Sequence, residues 1–474
     1  MGFNEFQDNV NSISDKIKNL VDNRKDVLIV SNSSCDGIIS ASLLIKAIWS
    51  LGGKGTARFL TRFDEEIFSE LKREDHEFYF FTDIGSGFSE YFNKLFSKRW
   101  ITLDHKKISM AEISIDDNNS ILNPWKYDID GDKEITSGGI SYFLVKNLDK
   151  RFSDLSPLAI VSALGEYQDV GEKRSLVGLN KDILEHSKNK GLIQTDIDLL
   201  LSFNEYFPIH ESIANTYVPY LNGLTSNSDK CLDLLRKTGI NLKKDGRLKT
   251  ICDINQEEKM LIIEAIKSHL SSQLNSNIDR FERIMIGHTY VLPAEERGSY
   301  VYDARRYSEL LNLCAINNKT GLGISVCLGD RSSILDDAES DVQEFNSNAQ
   351  KMISKILKEK WRILDKGLYV FINADGIIEP GYVGHLWRSL CSYYQIMNKV
   401  VIMKTSIDEN YSKYFISSLI NGAIDIQQMT KELYESIRGI RLTFNNFEGQ
   451  IAVPRAEEDS MMSIIHNQIK KIPK

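Results

Sequence analysis

Between residues 27 and 170 the chain alternates short apolar runs with amphipathic stretches. DVLIVS (26–31), TARFL (56–60), EFYFFTD (77–83) and WITLD (100–104) have the length and the β-branched or aromatic content of strands. ISASLLIKAIWSL (39–51), EEIFSELK (65–72) and SEYFNKLFSK (89–98) lie between them and carry helical spacing. Strands alternating with helices predict a mostly parallel sheet covered on both faces. Such sheets bind ligands beyond the carboxyl ends of their strands, which is where Asp36, Asp83, Asp104 and His105 fall.

Residues 183–285 read as helical. KMLIIEAIKSHLSSQL (259–274) has the clearest period and LNGLTSNSDK (221–230) is a break. A second mixed region starts near residue 335, with GLYVFINADG and KVVIMKTSI as strands and PGYVGHLWRSLCSYYQI as a helix. With 474 residues the chain is too long for one hydrophobic core. The predicted organisation is an α/β domain over 1–190, a largely helical linker or insertion over 191–335 and a second α/β domain over 336–474. No internal repeat is visible.

At 42% apolar and 26% charged residues the composition is that of an ordinary globular protein. A net charge of -8 gives no whole-chain attraction to nucleic acid, so binding of that kind requires a local basic groove. The cysteines are scattered without a CxxC pair, which argues against a disulfide framework or a thiolate zinc site. The apolar runs are too short to span a membrane, and MGFNEFQDNV has neither a signal-peptide core nor a myristoylation pattern. The expectation is a cytoplasmic protein without membrane contact.

Candidate chemistry gathers in SNSSCDG (31–37), FTDIGSG (81–87), LDHKK (103–107) and ALGEYQDVG (163–171). Each brings a carboxylate or imidazole to a strand end or to a helix able to pack there. Asp, Glu and His are ligands for Mn²⁺ or Mg²⁺, and crowded carboxylates without a cation repel one another. Any one of these acids alone is better read as a turn or helix cap. The case for a centre rests on all of them in this order, with Asp104 and His105 directly after a strand.

In that order the motifs resemble the DHH phosphoesterase superfamily, and within it the archaeal RecJ-like proteins. AIVSALGEYQDVGEKRSLVGLNKDIL (159–184) and DARRYSELLNLCAINNKTGLGISVCLGDR (303–331) extend the resemblance over most of the chain. It implies an N-terminal DHH domain, a helical middle insertion that contacts GINS in relatives, and a C-terminal DHHA1-like domain. Family members include Mn²⁺-dependent single-strand exonucleases, the GINS-associated nuclease, and a catalytically dead subunit of the CMG helicase that bridges GINS and MCM.

The chain departs from the family pattern in two places. The three ligand positions of the first motif read Asn32, Ser34 and Asp36, so two acidic or imidazole ligands are missing. The second motif keeps Asp83, the DHH motif keeps Asp104 and His105 but has Lys106 for its second histidine, and the fourth has Glu166 where Asp is usual. Near the C-terminus, where relatives carry a GGH segment, this chain reads RLTFNNFEG (441–449). By resemblance, Asp36, Asp83, His105 and Glu166 form one intact metal site, while Asn32 and Ser34 leave the other degraded. The expectation is at most one divalent ion, Mn²⁺ or Mg²⁺.

Three functions compete. The leading one is a catalytically impaired scaffold that binds GINS in the archaeal replisome. The second is a single-strand exonuclease acting on DNA or RNA with one metal, in which Asp104, His105 and an altered Lys106 take catalytic places. The third is a non-cutting binder of single strands through Lys106, Lys107, Arg305, Arg306 and Arg331, with Tyr302 or Tyr307 for base stacking. Against the third stands the equally weighted reading of DARRYSELL as a helix whose arginines pair with its own acids.

Overall fold

In the computed structural model, residues 2–61, 63, 65–107, 120–202, 206–274, 278–396, 399–417, 426–444 and 448–471 are described. They cluster into two compact units, one made of residues 1–197 with 288–343, the other of 198–287 with 344–474.

The first unit is built on five parallel strands: β1 (Asp26–Asn32), β2 (Lys54–Leu60), β3 (Phe78–Thr82), β4 (Trp100–Leu103) and β5 (Ile121–Leu122). Their order is β2-β1-β3-β4-β5, all parallel. The chain therefore reverses its direction of travel across the sheet between β1 and β3, the switch point at which open α/β sheets place their ligands. The four expected strands are β1 to β4, each displaced by a residue or two at its ends. The interior strand β1 buries Val27 to Val30 on both faces, as a covered parallel sheet requires.

Helices α1 (Gly2–Asp22), α2 (Cys35–Ser50), α3 (Glu65–Arg73), α4 (Ser89–Phe96) and α5 (Ser137–Leu148) cover the sheet, and α6 (Ser156–Gly165) and α7 (Gly178–Asn189) pack on α5. An aromatic cluster fills the space beside β3, where Phe81 stacks on Phe92 with ring centroids 4.0 Å apart and Phe92 meets Trp100 edge-on at 5.4 Å. Such pairs contribute about 0.5–1.5 kcal/mol each beyond the area they bury. Helix α2 is buried almost throughout, from Cys35 to Ile48, because α5 and the sheet enclose it. Its start is fixed by Ser34, whose Oγ accepts from the Gly37 amide at 2.9 Å.

In the second unit a six-stranded mixed sheet includes the expected strands as Tyr369–Asn373 and Val400–Ser406, which pair in parallel. Its core contains Val400, Ile402, Ile416, Leu433, Ile451 and Ile465. The helical stretch expected over 183–285 contains helices Ile209–Asn215, Ser228–Arg236, Gln256–Leu274 and Ile278–Met285, interrupted by a strand at Gln194–Leu199. In RLTFNNFEG, Arg441–Phe444 is a strand and Asn445, Asn446 and Phe447 lie outside the described residues. No helix among the described residues is long and apolar enough to cross a membrane.

Candidate metal centre

The three segments that follow β1, β3 and β4 converge at the switch point. Asp36 lies in the first turn of α2, and its carboxylate points at the N-terminus of α5. Its Oδ1 accepts from the Gly138 amide at 2.6 Å and from Ser162 Oγ at 2.5 Å, and its Oδ2 accepts from the Ser137 amide at 3.0 Å. Unpaired amides and the helix dipole make that terminus an anion site, here filled by a side chain of the same protein. Glycine fits at 138 without displacement, whereas a Cβ there would stand 2.5 Å from Ser162 Oγ and force a shift.

Asp83 follows β3 in a left-handed conformation with φ +59°, which Asp tolerates better than most side chains. Its Oδ2 accepts from Asn32 Nδ2 at 2.8 Å and Ser34 Oγ at 2.7 Å. Its Oδ1 accepts from Lys106 Nζ at 2.7 Å, and the same ammonium donates to the Asp83 carbonyl at 2.6 Å. Asp104, next to the histidine, faces elsewhere: it accepts from the Ser86 amide and the Lys106 amide, both at 3.2 Å. Asp104 thus ties the loop after β3 to the end of β4.

His105 is buried, with Nδ1 2.6 Å from the Gly131 carbonyl. That bond keeps a proton on Nδ1 and turns Nε2 toward the acids. Nε2 lies 3.5 Å from Asp36 Oδ2 and 3.7 Å from Asp83 Oδ1, and it has no hydrogen-bond partner. Ligating atoms of Asp36, Asp83 and His105 all lie within 4.8 Å of one another. One imidazole nitrogen and two carboxylates at this spacing could hold one divalent cation.

The charges in the cleft are strongly interdependent. Burial pushes the Asp36 carboxyl up, as does the neighbouring Asp83 charge, with His105 and its donors opposing. Burial would also raise Asp83, but Lys106 and His105 outweigh it and hold that carboxyl below its ordinary value. For His105 burial acts downward and is overcome by the charges of Asp36, Glu166 and Asp83, which hold the imidazole above its ordinary value. Lys106 is likewise raised, as Asp83 and Asp104 outweigh its burial. Glu166, at the C-terminal end of α6, is pushed up to about 7 by burial and by Asp83. It acts on the cleft electrostatically and is not part of the compact three-residue group.

No family model matches the chain. An uncharacterized protein of Methanocaldococcus jannaschii is 26% identical over 355 residues, which is 74% of each chain. Among solved structures, RecJ from Thermus thermophilus in complex with Mn²⁺ superposes with a TM-score of 0.60 at 12% identity, over 98% of this chain and 55% of RecJ. CDC45 from Entamoeba histolytica superposes with a TM-score of 0.63 at 12% identity, over 98% of this chain and 99% of CDC45. This chain has the RecJ/DHH fold.

In this RecJ-like chain the other expected contacts lie apart from the cleft acids. Lys107 is exposed and stands over the Trp125 ring at 5.2 Å. Arg305 donates to Asp169 Oδ2 at 2.6 Å and to the His288 carbonyl at 3.0 Å, and Arg306 is buried over the Tyr300 ring at 4.3 Å. Arg331 pairs with Glu295 at 2.6 Å, while Tyr302 and Tyr307 are buried. Several residues that position the centre escaped the sequence reading. Ser162 stands one helical turn before Glu166, a spacing that marks a shared helix face. Asn312, on the helix Ala304–Ile316, accepts from the Cys35 amide at 3.1 Å and so braces the start of α2. Gly131 contributes only a carbonyl, for which no side-chain pattern exists.

Proposed function

We propose that the protein is a RecJ-like DHH protein of DNA replication or repair, catalytically impaired, that acts as a GINS-binding replisome scaffold, with MCM as a further candidate partner. The supporting observation is the state of the Asp83 carboxylate. Asn32, Ser34 and Lys106 fill it with donors, where two-metal chemistry needs a carboxylate bridging two ions. In two-metal hydrolysis, ions about 3.5–4 Å apart clamp the attacking and leaving oxygens. With Asn32 and Ser34 neutral, we assign the site at most one divalent ion, held by Asp36, Asp83 and His105, with Glu166 contributing charge. A bound divalent ion would polarise a phosphoryl oxygen or activate water. Lys106 offers a fixed positive charge to a phosphate, and an ammonium generates no hydroxide.

The domain reading that accompanies this proposal is a DHH domain over 1–190, a linker or insertion over 191–335 as the GINS-contact region, and a DHHA1-like domain over 336–474. The second reading, a Mn²⁺- or Mg²⁺-dependent single-strand exonuclease on DNA or RNA, is favoured by one observation. His105 Nε2 is buried, unpartnered and aimed between two carboxylates, as a retained ligand would be. Of the cations named for a strand, Lys107 is exposed and Lys106, though paired with Asp83, is half-exposed, whereas Arg305 and Arg306 are engaged inside the first unit.

Incubation with end-labelled single-stranded DNA and RNA in Mn²⁺ or Mg²⁺, beside Asp83→Ala and His105→Ala, separates the two. No cleavage by any of the three, together with retention of GINS on the immobilised protein, is the expected result. Cleavage by the native chain that both substitutions abolish would establish the nuclease instead.

A further inference from the structure

One oxygen of Asp83 has two claimants. Oδ2 is already filled by Asn32 and Ser34, so a cation reaching Asp83 beside His105 must use Oδ1. That atom faces His105 Nε2 at 3.7 Å and already holds Lys106 Nζ at 2.7 Å. His105 is only 4% exposed and its Nε2 is without a hydrogen-bond partner. A buried nitrogen left unpaired between two carboxylates is costly unless something else completes it. A divalent ion there would share Oδ1 with an ammonium, and the two cations would repel.

We propose that Lys106 is a built-in counter-ion that competes with divalent metal for Asp83 Oδ1, so that the centre is charge-balanced and folded without an ion and binds one only weakly. The inference rests on the one-ion reading given above. Two of the three ammonium protons are committed to Asp83, one to Oδ1 and one to the main-chain carbonyl, which fixes the group in place. The side chain of Lys106 is nevertheless 43% exposed, whereas that of Asp83 is 1% exposed. An arriving ion can therefore displace the ammonium into solvent, with loss of both hydrogen bonds. The relation is competition, not exclusion.

The test compares the full-length native chain with Lys106→Met and Lys106→Gln. Mn²⁺ affinity and stoichiometry are measured by calorimetric titration, and thermal midpoints are recorded in EDTA and in Mn²⁺. Both variants are expected to melt below the native chain in EDTA, to recover in Mn²⁺, and to bind Mn²⁺ about tenfold or more tighter than native. The glutamine variant keeps a neutral donor to Asp83 and carries the comparison if the methionine variant is unfolded. Equal affinity and equal midpoint shifts in native and variant proteins would overturn the proposal. So would a gain in affinity that survives in the Asp83→Asn, Lys106→Met double variant, since the ion would then not lie on Asp83. Nuclease activity in the native chain would refute the impaired reading but leave this comparison of affinities standing.

Discussion

Lys106 Nζ and His105 Nε2 both face the same atom, Asp83 Oδ1, at 2.7 and 3.7 Å. Neighbouring residues in sequence thus reach one carboxylate from either side, and its removal leaves both short of an anion. Asp83→Ala is expected to destabilise the chain by about 1–3 kcal/mol, below the full cost of orphaning a buried charge because Lys106 has access to water. Asp83→Asn should be milder. Its side chain tolerates the left-handed backbone, which costs a residue such as alanine roughly 1 kcal/mol or more. Urea denaturation of both variants in EDTA checks the order; alanine more stable than asparagine would contradict it.

Gly138 is the second position where substitution is informative. A Cβ there would meet Ser162 Oγ at 2.5 Å and Asp36 Oδ1 at 3.1 Å, so alanine must push apart the start of α5 and the Asp36 carboxylate. The expected loss is about 1–3 kcal/mol, as for overpacking elsewhere. Any Mn²⁺-dependent rise in thermal midpoint should shrink in parallel. A destabilised variant with an unchanged Mn²⁺ response would mean that Asp36 does not serve the ion.

Asp169 is buried against two arginines, with Oδ2 2.8 Å from Arg174 Nε and 2.6 Å from Arg305 Nη1. Burial alone would raise its carboxyl, but Arg174 and Arg305 hold it below the usual range. Asp169→Ala is expected to cost about 3–5 kcal/mol, since it leaves two guanidinium groups without their shared anion. The more exposed Arg331–Glu295 pair provides the contrast, and its loss should cost about 1 kcal/mol or less. Chemical denaturation of Asp169→Ala and Glu295→Ala measures the gap; similar losses would mean that burial does not set the strength of these pairs.

Glu309, on the helix Ala304–Ile316, is pushed up to about 7 by burial, with Arg306 opposing. The folded chain therefore binds a proton more tightly here than the unfolded chain. Stability contributed by the neutral acid is present below the unfolded value of about 4.3 and is lost as pH rises toward 7. Glu309→Gln should remove that slope, gaining ~3 kcal/mol relative to the native chain at pH 8 and little at pH 4. Parallel pH profiles of the two proteins would show that Glu309 is charged at neutral pH.

Much of the first unit was legible because its strands are apolar runs ending in polar residues. The strand ends alone bring Asp36, Asp83, Asp104 and His105 together, and it is the family resemblance that singles out Asp36, Asp83 and His105, with Glu166, as ligands. The departures at Asn32, Ser34 and Lys106 were equally visible, but not that all three would converge on one carboxylate, which depends on side-chain reach. Backbone groups were invisible: the Gly131 carbonyl and the Ser137 and Gly138 amides act through atoms that every residue carries. The helix α1 was overlooked although Phe6, Val10, Ile13, Ile17 and Val21 repeat at helical spacing and are all buried. Arg305 and Arg306 looked like cations for a strand because sequence does not report burial.

The strand order β2-β1-β3-β4-β5 opens its cleft wherever the chain turns back beside β1, whatever side chains stand there. Topology thus provides the hollow and the loop residues provide the reactivity, from separate parts of the sequence. A lineage can therefore exchange ligands for hydrogen-bond donors at positions 32, 34 and 106 while every strand keeps its neighbours, and a surface elsewhere on the molecule inherits an undisturbed frame.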